Sequence, residues 1–194
     1  MLGQLPTALE VNGNTYEIRT DFRDILRIIA AFNDDDLTDR DKCYVLMATI
    51  YKDVRAIPAE DAVAAYDAAI SFMECSPRED APSPRVINWE KDEQLLFPAI
   101  NKVAGFEVRS VPYLHWWTFL GYFQGIDKED TWGYILMLRQ KKARGKKLET
   151  YEKEFWSANR YMCELERPKT MAETTGNALN DLFNALVKEK GGTE

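Results

Sequence analysis

The residues that could carry acid–base or metal chemistry are sparse in this chain. His115 is its one histidine, so a His-rich metal site, or a Ser-His-Asp arrangement with a choice of base, is excluded. His115 lies inside an aromatic segment, where helical spacing places it beside Phe119. We expect a buried ring whose nitrogens are hydrogen-bonded. A packing residue that responds to pH is the alternative role.

Two groups of carboxylates are close enough in sequence to be considered as sites. Glu90, Asp92 and Glu93 could do acid–base work or hold a divalent ion, but the start of a helix attracts the same residues. The aspartates at 34–36 lack the spacing, the glycine and the closing glutamate of a calcium loop. Motifs for phosphate binding and for nucleophilic catalysis are also lacking. We therefore expect no enzyme activity, no catalytic residue, no metal and no cofactor.

A basic cluster lies in the second half of the chain. Six of the nine residues from 139 to 147 are cationic, namely Arg139, Lys141, Lys142, Arg144, Lys146 and Lys147. Such a run is typical of a solvated helix end. Two other interpretations stay open. One is a contact for an acidic partner, and the other is a nucleic-acid contact, which a net charge of −7 disfavours.

The composition predicts a globular protein that positions these residues. The chain has 194 residues, of which 45% are apolar, and this suits one domain or one domain with a small appendage. We expect no membrane span, because no apolar run approaches ~18 residues. We also expect a cytosolic protein, because the N-terminus lacks a basic region followed by an apolar one. Cys43, Cys75 and Cys163 are predicted to be reduced, buried thiols.

Residues 1–75 are predicted to form a β-hairpin followed by three helices. Apolar residues alternate within 5–20 around Asn12-Gly13, a pair typical of tight turns. Helical spacing then begins after Thr20, the expected N-cap of the first helix.

The second and third helices have their own start signals. Thr38 and Asp41 form a capping-box pattern at the start of the second helix. Pro58 is expected to open the third helix. The predicted apolar face of that third helix carries Val63, Tyr66, Ile70 and Met73.

The rest of the chain divides into three parts. Residues 76–88 are rich in proline and predict an extended linker. Residues 89–166 predict an aromatic-rich helical part that packs on the first part as one domain. Within it, Pro98 is expected to kink or break a helix, and Gly105 is expected to follow the end of that helix as its C-terminal cap. One further helix is expected over 148–165. Residues 167–194 predict a C-terminal helix and tail.

The densest aromatic run, at 112–126, is predicted to be a helix that is apolar on nearly every side. Such a helix needs burial by its own fold or by a partner, and Trp and Tyr concentrate binding energy at interfaces. The narrow apolar stripe of the last helix suits docking in a groove. The candidate partner-binding residues are therefore Tyr113, Trp116, Trp117, Phe119, Tyr122, Phe123, Leu182, Phe183 and Leu186.

Together these patterns predict a mainly α fold. We expect a multi-helix orthogonal bundle of about eight helices with a short N-terminal β-hairpin.

Several segments resemble a family of small phage proteins. The most distinctive is VPYLHWWTF at 111–119, and softer matches are YEIRTDFR at 16–23, WEKD at 89–92, INKVAG at 100–105 and the helix through Leu138-Arg139. Together they cover most of the chain up to about Leu165. The family comes from siphophages and prophages of Gram-positive bacteria, and its members are typically encoded between the tail tube protein and the tape measure protein.

This resemblance implies a function in tail morphogenesis, similar to that of tail assembly chaperones, in the host cytoplasm. Such proteins are thought to hold the long, apolar, helical tape measure protein in solution until tube subunits polymerise around it. The implied partners are the tape measure protein, the tail tube protein or a second tail chaperone, with self-association left open. The alternatives are a structural component of the virion tail and, less favoured, a nucleic-acid-binding accessory protein.

Overall fold

The computed structural model describes residues 3–75 and 86–165. This part of the chain contains eight α-helices and one two-stranded antiparallel hairpin, so the predicted mainly α class is confirmed. The elements are β1 (Ala8–Val11), β2 (Asn14–Glu17), α1 (Phe22–Asn33), α2 (Asp39–Ile50), α3 (Ala62–Glu74), α4 (Trp89–Ala104), α5 (Trp116–Gln124), α6 (Thr131–Ala143), α7 (Thr150–Ala158) and α8 (Arg160–Cys163).

The described residues fall into two compact units. The first unit holds residues 3–75 and 115–117, and the second holds residues 86–114 and 118–165.

The hairpin of the first unit forms where the sequence predicts it. Leu9 pairs with Tyr16, and Val11 pairs with Asn14. Asn12 and Gly13 both have positive φ, at 48° and 86°, which matches the twist that a two-residue turn needs. The hairpin is anchored by Asn12 Nδ2, which donates a 2.7 Å hydrogen bond to Asp61 Oδ1.

The helix starts of the first unit follow local side-chain chemistry. Thr38 and Asp41 form the predicted capping box of α2. The N-cap of α1 is Asp21, whose carboxylate accepts from Arg23 N, so the prediction of Thr20 was wrong by one residue. The carbonyl of Thr20 instead accepts a 2.7 Å hydrogen bond from Trp116 N.

Helix α3 buries a different face from the predicted one. Its buried side chains are Ala62, Ala65, Ala69 and Phe72, whereas Val63 is 44% exposed. Small side chains let a neighbouring backbone or ring approach closely: the Tyr51 hydroxyl donates a 2.6 Å hydrogen bond to the carbonyl of Ala65. The larger residues were expected to face the core, but close packing favours the alanines.

Helix α4 of the second unit runs without a break through Pro98, which lies on its exposed side. The carbonyl that Pro98 leaves without an amide partner in the helix is therefore on the solvent side. The helix ends at Gly105, whose φ of 79° gives the left-handed cap that the sequence predicts there.

Two other helix boundaries differ from the predictions. Helix α5 starts at Trp116, because His115 forms an isolated β-bridge with Asp21 and is extended. The single helix expected over 148–165 is divided at Asn159 into α7 and α8. Both the main-chain and the side-chain N–H groups of Asn159 donate to Phe155 O, which ends α7.

Candidate functional site

The Leu-His-Trp-Trp element at 114–117 closes the C-terminal end of α3. Trp116 Nε1 donates to Met73 O at 2.8 Å, and Trp117 Nε1 donates to Phe72 O at 2.9 Å. Both carbonyls belong to the last turn of α3, where a helix lacks its own donors. The Trp117 ring also stacks on the Phe72 ring, with 5.7 Å between centroids. The most distinctive motif of the sequence thus stabilises the first unit.

His115 is a buried structural residue with both ring nitrogens hydrogen-bonded. Nδ1 accepts from Trp117 N at 3.1 Å, and Nε2 lies 2.9 Å from Pro6 O. An amide N–H can only donate and a carbonyl can only accept, so the pair of bonds requires the neutral ring with its proton on Nε2. The ring faces Phe72 and Trp117 edge-on, whereas the sequence predicted Phe119 as its neighbour.

The remaining part of α5 packs inside the second unit. Phe119 is fully buried and lies 6.0 Å from Trp89 and 6.1 Å from Phe97, measured between ring centroids. Phe123 is half-buried, and its ring centroid lies 5.6 Å from that of Trp89. The candidate partner-binding residues Trp116 and Phe119 therefore lie in the cores of their units, and Trp117 and Phe123 are half-buried.

An exposed apolar surface on the second unit, the Phe106–Tyr122 patch, consists of Val103, Phe106 and Tyr122. Val103 and Phe106 are 39% and 38% exposed, and Tyr122 is half-buried. The Phe106 and Tyr122 rings meet edge-to-face at 6.1 Å. Val103 lies close to the end of α5, since a Cβ on Gly125 would be 3.0 Å from Val103 Cγ1. The patch brings one predicted residue, Tyr122, together with two that the sequence did not single out.

The other predicted aromatic residues lie elsewhere. Tyr113 precedes α5 and is 53% exposed. Leu182, Phe183 and Leu186, with the predicted C-terminal helix, lie outside the described residues, as does most of the predicted linker.

Arg139, counted in the sequence as part of the basic surface, is buried and makes five hydrogen bonds. Its two Nη atoms donate to the Asp92 carboxylate at 2.7 and 2.8 Å. Its three other N–H groups donate to the carbonyls of Val86, Met162 and Cys163. This bidentate ion pair joins α6 to the start of α4. It gives the buried Asp92 carboxylate a structural partner, whereas the sequence indicated only a residue attracted to a helix start.

Lys141 is the second cation of the cluster with a structural partner. Its Nζ donates to the carboxylate of Glu152, whose side chain is buried in α7. The hydrogen bond from Lys141, followed by that from the backbone N–H of Glu149, lowers the pKa of Glu152. The other four cations, Lys142, Arg144, Lys146 and Lys147, are exposed.

Comparison with protein families gives the first independent information on identity. A family model described as Bacteriophage Gp15 protein matches residues 1–163. The chain belongs to this family. No match came from the curated proteins or from the solved structures. The Bacteriophage Gp15 match includes every helix and strand of the described part, and it confirms that the protein is a phage protein.

Three further features of the described residues bear on chemistry. The three cysteines are free thiols; Cys43 and Cys163 are buried and Cys75 is half-buried, and burial raises the pKa of each. No group of three His, Cys, Asp or Glu residues placed to hold a metal occurs among residues 3–75 and 86–165. Over the same residues, no helix is both long and apolar enough to span a bilayer.

Proposed function

We propose that the protein is a non-enzymatic factor of phage tail morphogenesis, similar to a tail assembly chaperone, that binds the tape measure protein in the host cytoplasm. Membership of the Bacteriophage Gp15 family carries the phage part of this proposal. The tail part rests on the resemblance of the Leu-His-Trp-Trp element and its flanking segments to small tail proteins encoded beside the tape measure gene.

The Phe106–Tyr122 patch supports a docking role. Val103, Phe106 and Tyr122 present aliphatic and aromatic surface together, which is the type of surface that holds the apolar face of a helix. Aromatic side chains at the centre of such contacts supply much of the binding energy. A long apolar helical protein such as the tape measure protein offers matching faces along its length.

Two of the ionisable groups that the sequence offers for chemistry have structural partners in the described part. Both nitrogens of His115 bind backbone groups, and Asp92 binds Arg139. A general acid or base needs to reach a substrate proton. These two groups are instead held by their neighbours, which supports a binding function without catalysis.

Co-expression with tape measure fragments tests the proposal. The full chain should raise the amount of soluble fragment and elute with it on gel filtration. Phe106→Asp should abolish both effects, because it places a charge in the apolar contact. Tyr151→Asp is the matched control, since Tyr151 is also an exposed aromatic residue of the second unit. If no fragment gains solubility and no complex elutes, the proposed function is wrong.

Mass spectrometry of purified particles separates this function from that of a structural tail component. A chaperone should be absent from finished virions, whereas a tail component should be present in a fixed ratio to the tube protein. If the protein is found in virions at a fixed ratio to the tube protein, it is a structural tail component and not a chaperone.

A further inference from the structure

Four cations at the end of α6 and in the turn after it have no ion-pair partner in the described part of the chain. Lys142, Arg144, Lys146 and Lys147 are exposed, and none has a described carboxylate within 4.0 Å. In a chain with a net charge of −7, unpaired positive charge concentrated in one turn creates a local field that attracts anionic groups.

A cavity of about 650 Å³ in the second unit is lined by one of these cations, Lys142. Ala143 and Trp156 also line it, and so do Arg160, Glu164 and Leu165. Its volume lies within the roughly 300–1,000 Å³ of ligand-binding clefts. The cavity therefore combines apolar walls with an edge on which Lys142 and Arg160 outnumber the one carboxylate, Glu164.

Lys142 is the cation of this cavity that is available to a ligand. Arg139 uses all five N–H groups internally, and Arg160 Nε donates to Glu164 at 2.9 Å. The Lys142 ammonium lies 4.1 Å from the centroid of the Trp156 ring. The Glu164 carboxylate is near enough to interact with it electrostatically, but no described carboxylate lies within 4.0 Å. A ligand carboxylate bound there would lie against an aromatic wall.

We propose that the cavity, with Lys142 in its lining and the three cations that follow in sequence, forms a docking surface for an acidic, amphipathic polypeptide segment of a partner protein. Carboxylates of the segment pair with Lys142 and the turn cations, and a neighbouring apolar side chain enters the cavity. This surface is separate in sequence from the Phe106–Tyr122 patch, so the inference goes beyond the proposed function and does not depend on it.

The observations favour a polypeptide over a nucleic acid. Single-stranded nucleic acids bind by stacking bases on open aromatic faces, and the Lys142 ammonium already covers one face of Trp156. The acidic chain as a whole also repels a polyphosphate, whereas a short acidic segment contacts the basic turn alone.

Fluorescence anisotropy with labelled probes tests the inference on the full chain. The main probe is a synthetic helical peptide of glutamate and leucine with one apolar face. It should bind, and the same peptide with lysine in place of glutamate should not. Poly-glutamate should bind more weakly than the main probe, because it lacks the apolar side chain that fills the cavity.

Three variants locate the binding surface. Lys142→Glu should weaken binding of the main probe by about tenfold, since it replaces attraction by repulsion at a desolvated contact. Lys153→Glu is the control with the same change of charge at another exposed lysine of the second unit, and it should leave binding unchanged. Ala143→Phe fills the cavity without changing its charge. It should weaken binding of the Glu-Leu peptide and leave binding of poly-glutamate unchanged.

Other occupants give different results, each of which would overturn the proposal. Tighter binding of single-stranded DNA than of the peptide would make the surface a nucleic-acid site. Tighter binding of a synthetic peptide of residues 166–194 would make this chain's own C-terminal segment the occupant. If the protein alone forms a dimer and Lys142→Glu dissociates that dimer, the occupant of the surface would be a second copy of the chain. The proposal is also rejected if the Glu-Leu peptide does not bind, or if Lys153→Glu weakens its binding as much as Lys142→Glu does.

Discussion

Arg139 is predicted from the sequence to be an exposed cation, but in the folded chain it is buried. In sequence it begins a run of six cations, which is typical of a solvated surface. In the structure it is 4% exposed, and its fork of N–H groups joins Asp92 to three carbonyls. The partner Asp92 is 47 residues away in sequence, so no local pattern could have predicted the pair.

Arg139→Met should lower the free energy of unfolding by about 3–5 kcal/mol, because it leaves the Asp92 carboxylate buried without its counter-charge. Urea unfolding followed by circular dichroism measures the loss. Arg144→Met is the control: Arg144 is exposed and unpaired in the described part, so its removal should change stability by less than about 0.5 kcal/mol. Equal effects of the two substitutions would mean that Arg139 is not a structural cation.

Glu107 makes part of the stability depend on pH. Hydrogen bonds from Arg109, at 2.8 Å from Nε, and from Asn101 hold its carboxylate in the charged form. The Arg109 side chain is the main cause that lowers the pKa of Glu107 from 4.5 to about 2. A pKa lowered by folding contributes stability that is fully present above about pH 4.5 and is lost as the pH falls toward about 2.

Glu107→Gln should therefore be less stable than the wild type at neutral pH, and the difference should shrink through that acidic range. Urea midpoints at a series of pH values give the comparison. Glu154→Gln, at an exposed glutamate without a described ion-pair partner, should run parallel to the wild type. A difference between Glu107→Gln and the wild type that stays constant down to about pH 2 would contradict the assigned ion pair.

Among the elements, the position of α6 depends on close packing between its backbone and the preceding loop. A Cβ on Gly133 would lie 2.0 Å from Asp127 O, so the absence of a side chain lets the first turn of α6 rest on the preceding loop. Gly121 in α5 is the opposite case, because a Cβ there would meet nothing within 4 Å.

These two glycines predict opposite signs for the same substitution. Gly133→Ala should destabilise the protein by about 1–3 kcal/mol, because the loop must move. Gly121→Ala should stabilise it by about 0.5–1 kcal/mol, because alanine loses less backbone entropy in a helix. Thermal unfolding of the two variants measures both signs, and destabilisation by Gly121→Ala together with a neutral Gly133→Ala would contradict the packing described here.

Local chemistry predicted the elements well and their contacts poorly. The Asn12-Gly13 turn, the Thr38–Asp41 capping box and the Gly105 cap depend on neighbouring residues, and all three were predicted correctly. The buried face of α3 depends on what packs against it, and hydrophobicity alone selected the wrong side. Helix α5 starts late because His115 pairs with Asp21, a contact that local spacing does not contain.

At the scale of the molecule, the aromatic segment serves two purposes that the sequence merged into one. Trp116 and Trp117 end α3 in the first unit, and Phe119 fills the core of the second. The sequence predicted one apolar helix that needs cover on every side, and much of that cover comes from the chain itself. Tyr122 remains at the surface beside Val103 and Phe106, which could be recognised only from the packed structure.

Calorimetry of the purified chain with a purified, solubilised segment of the tape measure protein tests whether the two proteins bind. We expect a saturable complex with a negative heat-capacity change, which marks burial of apolar surface. Phe106→Asp should remove this complex, and Tyr151→Asp should keep it. Absence of binding to segments that together cover the tape measure protein, or binding that Phe106→Asp leaves intact, would contradict the proposed function.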